Sequence, residues 1–124
     1  MLKMLTDHME DGFLDNIISL FRQDESLYPL IGDMLGDERV RVRLGTIALV
    51  ETMMNEEPDK VKAAIPFIAA LLKNSNATIR GDAVYALGII GDRDALPFLT
   101  EAAKDENEMV REAIKESIET IKKG

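Results

Sequence analysis

Three arginines at matching positions are the side chains of this chain best suited to bind an anion. Arg43, Arg80 and Arg111 each follow a proline by fourteen residues and an aspartate or asparagine by six. A guanidinium donates paired hydrogen bonds to carboxylates and phosphates. We predict a structural role, in which each stem packs over an apolar stripe while the guanidinium reaches turn acids of its own or an adjacent unit. We call this set the arginine ladder.

Other reactive side chains are scarce. The chain has no cysteine, and His8 is its only histidine. No cluster of metal ligands can form around a single histidine. His8 is expected to face solvent. The acidic turns "GDRDA" and "KDENE" lack the spacing and terminal glutamate of an EF-hand loop, and we interpret them as helix caps. The sequence therefore predicts no catalytic residue, no metal site, no cofactor and no enzymatic activity.

The prolines that precede the arginines mark an internal repeat. Pro29, Pro66 and Pro97 open the segments "PLIGDML", "PFIAALL" and "PFLTEAA". Apolar residues then coincide in all three units, with spacings of three and four that indicate helices. One helical hairpin cannot bury the apolar stripes of both its helices, so neighbouring units are expected to stack. The coinciding positions are Val42, Ile79 and Val110; Val50, Leu87 and Ile118; and Met53, Ile90 and Ile121.

Small residues and turn residues predict how the second helix of the middle unit packs and where it begins and ends. Gly81 and Gly88, together with two alanines, are expected to keep its second helix slim, so that adjacent units approach closely. Gly88 costs roughly 1 kcal/mol of helix propensity relative to alanine, which close packing would offset. Ser75 or Asn76 is the predicted N-cap of this helix, and Gly91 is its predicted left-handed C-terminal residue.

The segment "ATIRGDAVYALGIIGDRDALPFL" resembles the phycobilisome-lyase type of HEAT-like repeat. The resemblance covers residues 27 to 124 and is strongest at 77 to 99. It implies an all-α fold, a right-handed α-α superhelix whose second helices line a concave face. The first and third units depart from the pattern where larger residues replace small ones.

We predict a single domain over residues 1–124. Its parts are N-terminal capping helices (1–25), repeat 1 (26–57), repeat 2 (58–95), and repeat 3 with a C-terminal cap (96–124). In repeat 2, Pro58 is expected to begin a long first helix that kinks near Pro66. In the first capping helix, Met1, Met4, Leu5 and His8 form a stripe that is either core or a partner surface.

The predicted concave face carries the candidate partner-binding residues. Tyr85 is the one aromatic side chain predicted there, and an exposed tyrosine among apolar and acidic residues is a candidate hot spot. The alternative, that Tyr85 packs on a neighbouring helix, stays open. The candidate residues are Leu44, Ala48, Glu51, Asp82, Tyr85, Ile89 and Glu116.

Charge narrows the class of partner. The formal net charge is −8, and residues 1 to 38 carry nine acids against two bases. Such a chain repels phosphate backbones, which argues against nucleic acid, and its apolar runs are too short to span a membrane. We expect a cytoplasmic monomer or weak homodimer that binds a protein or peptide. The alternatives are an accessory subunit of a bilin lyase-like enzyme, which the resemblance alone implies, and nucleic-acid binding.

Overall fold

The structure, a computed structural model, describes all residues, 1–124, and contains helices and turns but no strand. The predicted all-α fold is confirmed. Four short 3-10 segments, Glu25–Leu30, Lys62–Ala64, Ala70–Lys73 and Arg93–Ala95, adjoin the first helices of the units. The α-helices are α1 (Leu2–Glu10), α2 (Leu14–Gln23), α3 (Ile31–Leu35), α4 (Val40–Glu56), α5 (Pro58–Val61), α6 (Ile65–Ala69), α7 (Ala77–Ile90), α8 (Leu96–Glu101) and α9 (Glu108–Lys123).

The helices form three stacked hairpins. Each pairs a first helix with a second: α3 with α4, α6 with α7, and α8 with α9. The second helices lie side by side in the order α4, α7, α9, while α1 and α2 both pack on α4. The result is a short HEAT-like solenoid in which α7 has a second helix on each side.

The N-terminal helix belongs to the core. Leu5 and Met9 are buried, and Met9 lies so close to Gly45 of α4 that a Cβ at residue 45 would overlap it. The buried stripe thus runs through Met9 rather than through His8. His8 is partly buried beside Phe13, with ring centroids 5.7 Å apart, so its expected exposure to solvent is corrected.

The predicted caps of the middle unit are confirmed. Asn76 Oδ1 accepts a hydrogen bond from the Thr78 amide at 2.8 Å, which satisfies a free N–H at the start of α7. Gly91 ends α7 in the left-handed conformation, with φ of 66°. The predicted long first helix is also confirmed, because helical residues run from Pro58 to Lys73 and change to 3-10 geometry just before Pro66.

Close approaches between units depend on particular glycines. A Cβ on Gly88 would lie 2.8 Å from Ser117 Oγ of α9, so glycine is needed there, as predicted. A Cβ on Gly32 of α3 would lie 2.6 Å from the carbonyl oxygen of Phe67 in α6. Around Gly81 there is nothing within 4 Å, which corrects the expectation that this glycine serves close packing.

The difference between these glycines gives a paired prediction. Gly32→Ala should lower the free energy of unfolding by about 1–3 kcal/mol, because the new methyl group meets backbone that cannot turn aside. Gly81→Ala should instead raise it by roughly 0.5–1 kcal/mol, since alanine favours the helix and meets no neighbour. Urea unfolding of both variants measures the effects, and equal effects of the same sign would contradict the packing described.

Candidate functional site

Arg80 links the second unit to the third. Its Nε and Nη2 donate to the two carboxylate oxygens of Asp105 at 2.8 and 3.1 Å, while Nη1 donates to the carbonyl of Asn74 at 2.9 Å. Asp105 stands in the turn before α9, and both side chains are nearly buried, at 7% and 8% exposure. The guanidinium therefore holds its own turn and the next one together through charge-assisted hydrogen bonds.

Arg43 makes the equivalent link from the first unit to the second with a different acceptor. Its Nη1 donates to the carbonyls of Asp37 and Glu38 at 2.9 and 2.8 Å, and its Nε donates to Asp82 Oδ2 at 3.0 Å. In the second unit, the position equivalent to Asp105 is Asn74, which carries no charge. The carboxylate is supplied instead by Asp82, one turn into α7.

The last arginine of the ladder binds no carboxylate. Arg111 donates to the Asp105 carbonyl at 2.6 Å, in the same manner as its equivalents, but it is exposed and pairs with no carboxylate. Arg39, which is not part of the ladder, donates to both oxygens of Asp37 and to Asp7 of α1, each at 3.0 Å. An added ion pair thus joins the capping helix to the first turn.

These contacts affect the acidity of the turn carboxyls. Hydrogen bonds from the Arg80 side chain hold the pKa of Asp105 below its ordinary value of 3.8. The Arg39 side chain acts likewise on Asp37 and lowers its pKa. Both carboxyls are therefore ionised near neutrality, and each is paired with an arginine within the fold.

Several predicted partner-binding residues lie together on one surface. Ala48, Tyr85 and Glu116 occupy equivalent positions of α4, α7 and α9, as do Leu44, Gly81 and Glu112. Equivalent positions of stacked helices point to the same side, so these six residues mark what we call the free face. It is the side of the second-helix layer that no other helix covers.

Tyr85 and Leu44 are the prominent apolar side chains of the free face. Tyr85 is 56% exposed and Leu44 is 61% exposed, although both stand on helices whose neighbouring residues are buried. Tyr85 therefore does not pack away against an adjacent helix, which was the alternative left open by the sequence. Gly81 lies one turn before Tyr85 and leaves a shallow gap beside it.

The other predicted residues are placed less uniformly. Glu51 and Glu116 are exposed, whereas Ala48 and Ile89 are partly buried and Ile89 packs against the core. The placement of Asp82 on the binding surface is corrected, because its carboxylate turns toward α4 and accepts from Arg43. Gly81, at the position of α7 equivalent to Leu44, was not predicted as part of this surface. Met109 of α9, which is 81% exposed and lies outside the six positions of the free face, was not singled out by the sequence either.

The geometry agrees with a comparison against known families. A model described as HEAT repeats matches residues 28–119, which is most of the chain. The chain belongs to the HEAT repeat family. No curated protein matches the sequence.

This HEAT repeat protein also has an apolar groove on the opposite layer. The groove lies between the first helices α6 and α8, and its volume is about 570 Å³. Pro66, Ala69 and Leu72 line one side, and Phe98, which is 39% exposed, lines the other. Lys73 and Glu101 approach each other across it at 4.0 Å.

Neither surface carries an arrangement suited to metal chemistry. No group of three or more His, Cys, Asp or Glu side chains is placed to hold a metal ion. No helix is both long enough and apolar enough to span a membrane. The free face of this HEAT repeat protein presents exposed apolar side chains next to carboxylates.

The arginine ladder can be tested with a matched pair of variants. Arg80→Ala should lower the thermal midpoint by several degrees, because it leaves the nearly buried Asp105 carboxylate without its partner. Arg111→Ala should change the midpoint little, since this exposed guanidinium binds only one carbonyl. Thermal unfolding followed by circular dichroism compares them, and a larger effect at Arg111 would refute the assigned roles.

Protonation of Asp105 at low pH should lower the free energy of unfolding. A carboxyl whose pKa is depressed in the folded state stabilises that state above the unfolded-state pKa, near 3.8, and this contribution disappears as the pH falls through the lower folded-state value. The free energy of unfolding of the wild type should therefore fall below about pH 4. Asp105→Asn should be less stable at neutral pH and lose less stability on acidification. Parallel slopes for the two proteins would show that Asp105 does not contribute.

Proposed function

We propose that this protein is a non-enzymatic interaction module that binds a partner protein or peptide through its free face. HEAT repeats generally mediate protein–protein interaction or scaffolding. The observation that carries the proposal is Tyr85, a large amphipathic side chain held on a rigid, capped helix with more than half of its surface exposed. Tyrosine in such a position supplies contact area at low entropic cost and is enriched among interface hot spots.

The free face is favoured over the outer groove by its extent and rigidity. It crosses all three second helices, and α7 is buried on both flanks, so a partner would meet a preorganised surface. The outer groove is bounded by the helical run from Pro58 to Lys73, which alternates between α and 3-10 geometry, and by α8, and its lining carries one exposed aromatic side chain. We therefore treat Phe98 as the matched comparison for Tyr85.

Tyr85→Ala should reduce partner capture while the fold is kept. The loss of the ring should cost about 1–3 kcal/mol of binding free energy if Tyr85 is a hot spot. Phe98→Ala should leave capture unchanged. The measurement is an affinity pull-down from the native host with quantitative mass spectrometry, in which each variant is compared with wild type at equal folded concentration. Partners lost on Phe98→Ala and kept on Tyr85→Ala would move the site to the outer groove.

Two other changes are unsuitable as probes of binding. Asp82→Lys would place a cation against the nearly buried Arg43 guanidinium, so any loss of binding would reflect damage to the fold. Deleting residues 1 to 10 would remove Leu5 and Met9 from the core that covers α4. Because this deletion would damage the fold, it does not distinguish the N-terminal stripe from the free face as a docking surface.

The finer resemblance, to the phycobilisome-lyase type of repeat, supports a different role, as an accessory of a bilin lyase-like enzyme. Titration with a linear tetrapyrrole tests it, because a bound chromophore changes its visible absorption spectrum; under our proposal the spectrum stays that of the free pigment. We further propose that the protein is a monomer or weak homodimer and that it does not bind nucleic acid at physiological salt.

A further inference from the structure

We infer that the partner of the free face is a cationic apolar segment, in which aliphatic or aromatic side chains alternate with lysine or arginine. The inference rests on the proposed function and names the chemistry of the partner. It follows from the apolar side chains of the free face, from the carboxylates that surround them, and from the absence of ion pairs at those carboxylates.

The apolar part of the surface is small and divided. Leu44 on α4 and Tyr85 on α7 stand on adjacent helices, and Gly81 occupies the position of α7 that is equivalent to Leu44, one turn before Tyr85. A partner side chain that contacts both would rest above Gly81, where nothing lies within 4 Å of the missing Cβ. One or two apolar anchors fill such a site, and the remainder of the partner must meet its polar rim.

The rim is acidic and unpaired. Glu51, Glu112 and Glu116 are exposed, and none of them forms an ion pair within the chain. Glu112 and Glu116 are four residues apart on α9, a spacing at which like charges repel and destabilise a helix. A cation between them would relieve this repulsion and gain an ion pair with each.

The exposed cations of α9 stand beside the free face rather than on it. Arg111 and Lys115 have no carboxylate partner, but they occupy the positions equivalent to Arg80 and Val84 of α7, which are buried. Arg43 and Arg80 form ion pairs that link the units, and Lys62 pairs with Asp92 at 3.2 Å. Arg41 precedes Leu44 by three residues, and its Nη2 lies at the α1–α2 turn, 3.7 Å from the position of a Cβ on Gly12. The carboxylates of the free face are therefore available to a partner, and electrostatic complementarity selects a basic one.

The experiment is a selection from a random peptide library displayed on phage, with the folded wild-type protein as bait. Peptides that are also retained by Tyr85→Ala are subtracted, so that the remaining peptides report on the free face. We expect them to be enriched in lysine and arginine beside aliphatic or aromatic residues. A Tyr85-dependent set that is neutral or acidic would overturn the inference and leave the proposed function standing; no Tyr85-dependent peptide at all would count against both.

A selected peptide then tests the charges directly by fluorescence anisotropy. Binding should weaken by at least about tenfold in the double variant Glu112→Lys, Glu116→Lys, and it should weaken as salt rises from about 50 to about 300 mM. The matched control is Asp15→Lys, Asp33→Lys, which makes the same change of net charge on the exposed surface of α2 and α3. Equal weakening by both double variants would show attraction by net charge alone and would overturn the assignment to the free face.

Discussion

The structure depends on the covering of α7 from both flanks. A helix of fourteen residues with buried side chains on two sides cannot be stable alone in water, because its hairpin partner covers only one of them. α4 and α9 supply the missing cover, and the approach of α9 is close enough that Ser117 donates a hydrogen bond to the Val84 carbonyl at 3.2 Å. The first and third units therefore supply the packing surfaces that the middle unit requires on its two flanks.

The arginine ladder adds directionality to this packing. Apolar stripes of alanine, valine and leucine would tolerate small slips between neighbouring helices, whereas a guanidinium that binds two turns at once fixes their register. The cost of removing each charge from water is offset only where a carboxylate meets it. The turn of the second unit has Asn74 where the turn of the third unit has Asp105. Arg43 therefore finds its carboxylate partner at Asp82 in α7 instead.

The sequence predicted well what periodicity and turn chemistry determine. The helical class, the three hairpins, the N-cap at Asn76 and the left-handed Gly91 all follow from local patterns that tertiary contacts do not override. It predicted poorly which of two adjacent helix positions faces a neighbour. Asp82 and Gly81 differ by 100° around α7, yet one pairs with Arg43 and the other contacts nothing. That choice depends on how the units are rotated against each other, and no single unit encodes it.

The position of the free face follows from the same geometry. α4 and α7 each have two flanks covered by neighbouring helices and one side covered by their own first helix, which leaves a single side without a structural role; α9 has one flank open in addition. Side chains on that side are constrained by solubility and binding rather than by packing. On α9 it carries acids, as expected of a soluble surface, but on α7 it carries Tyr85 beside an uncovered glycine. Neither residue is explained by the stability of the fold, since the ring is not buried and glycine weakens the helix, whereas the proposed binding of a partner would account for both.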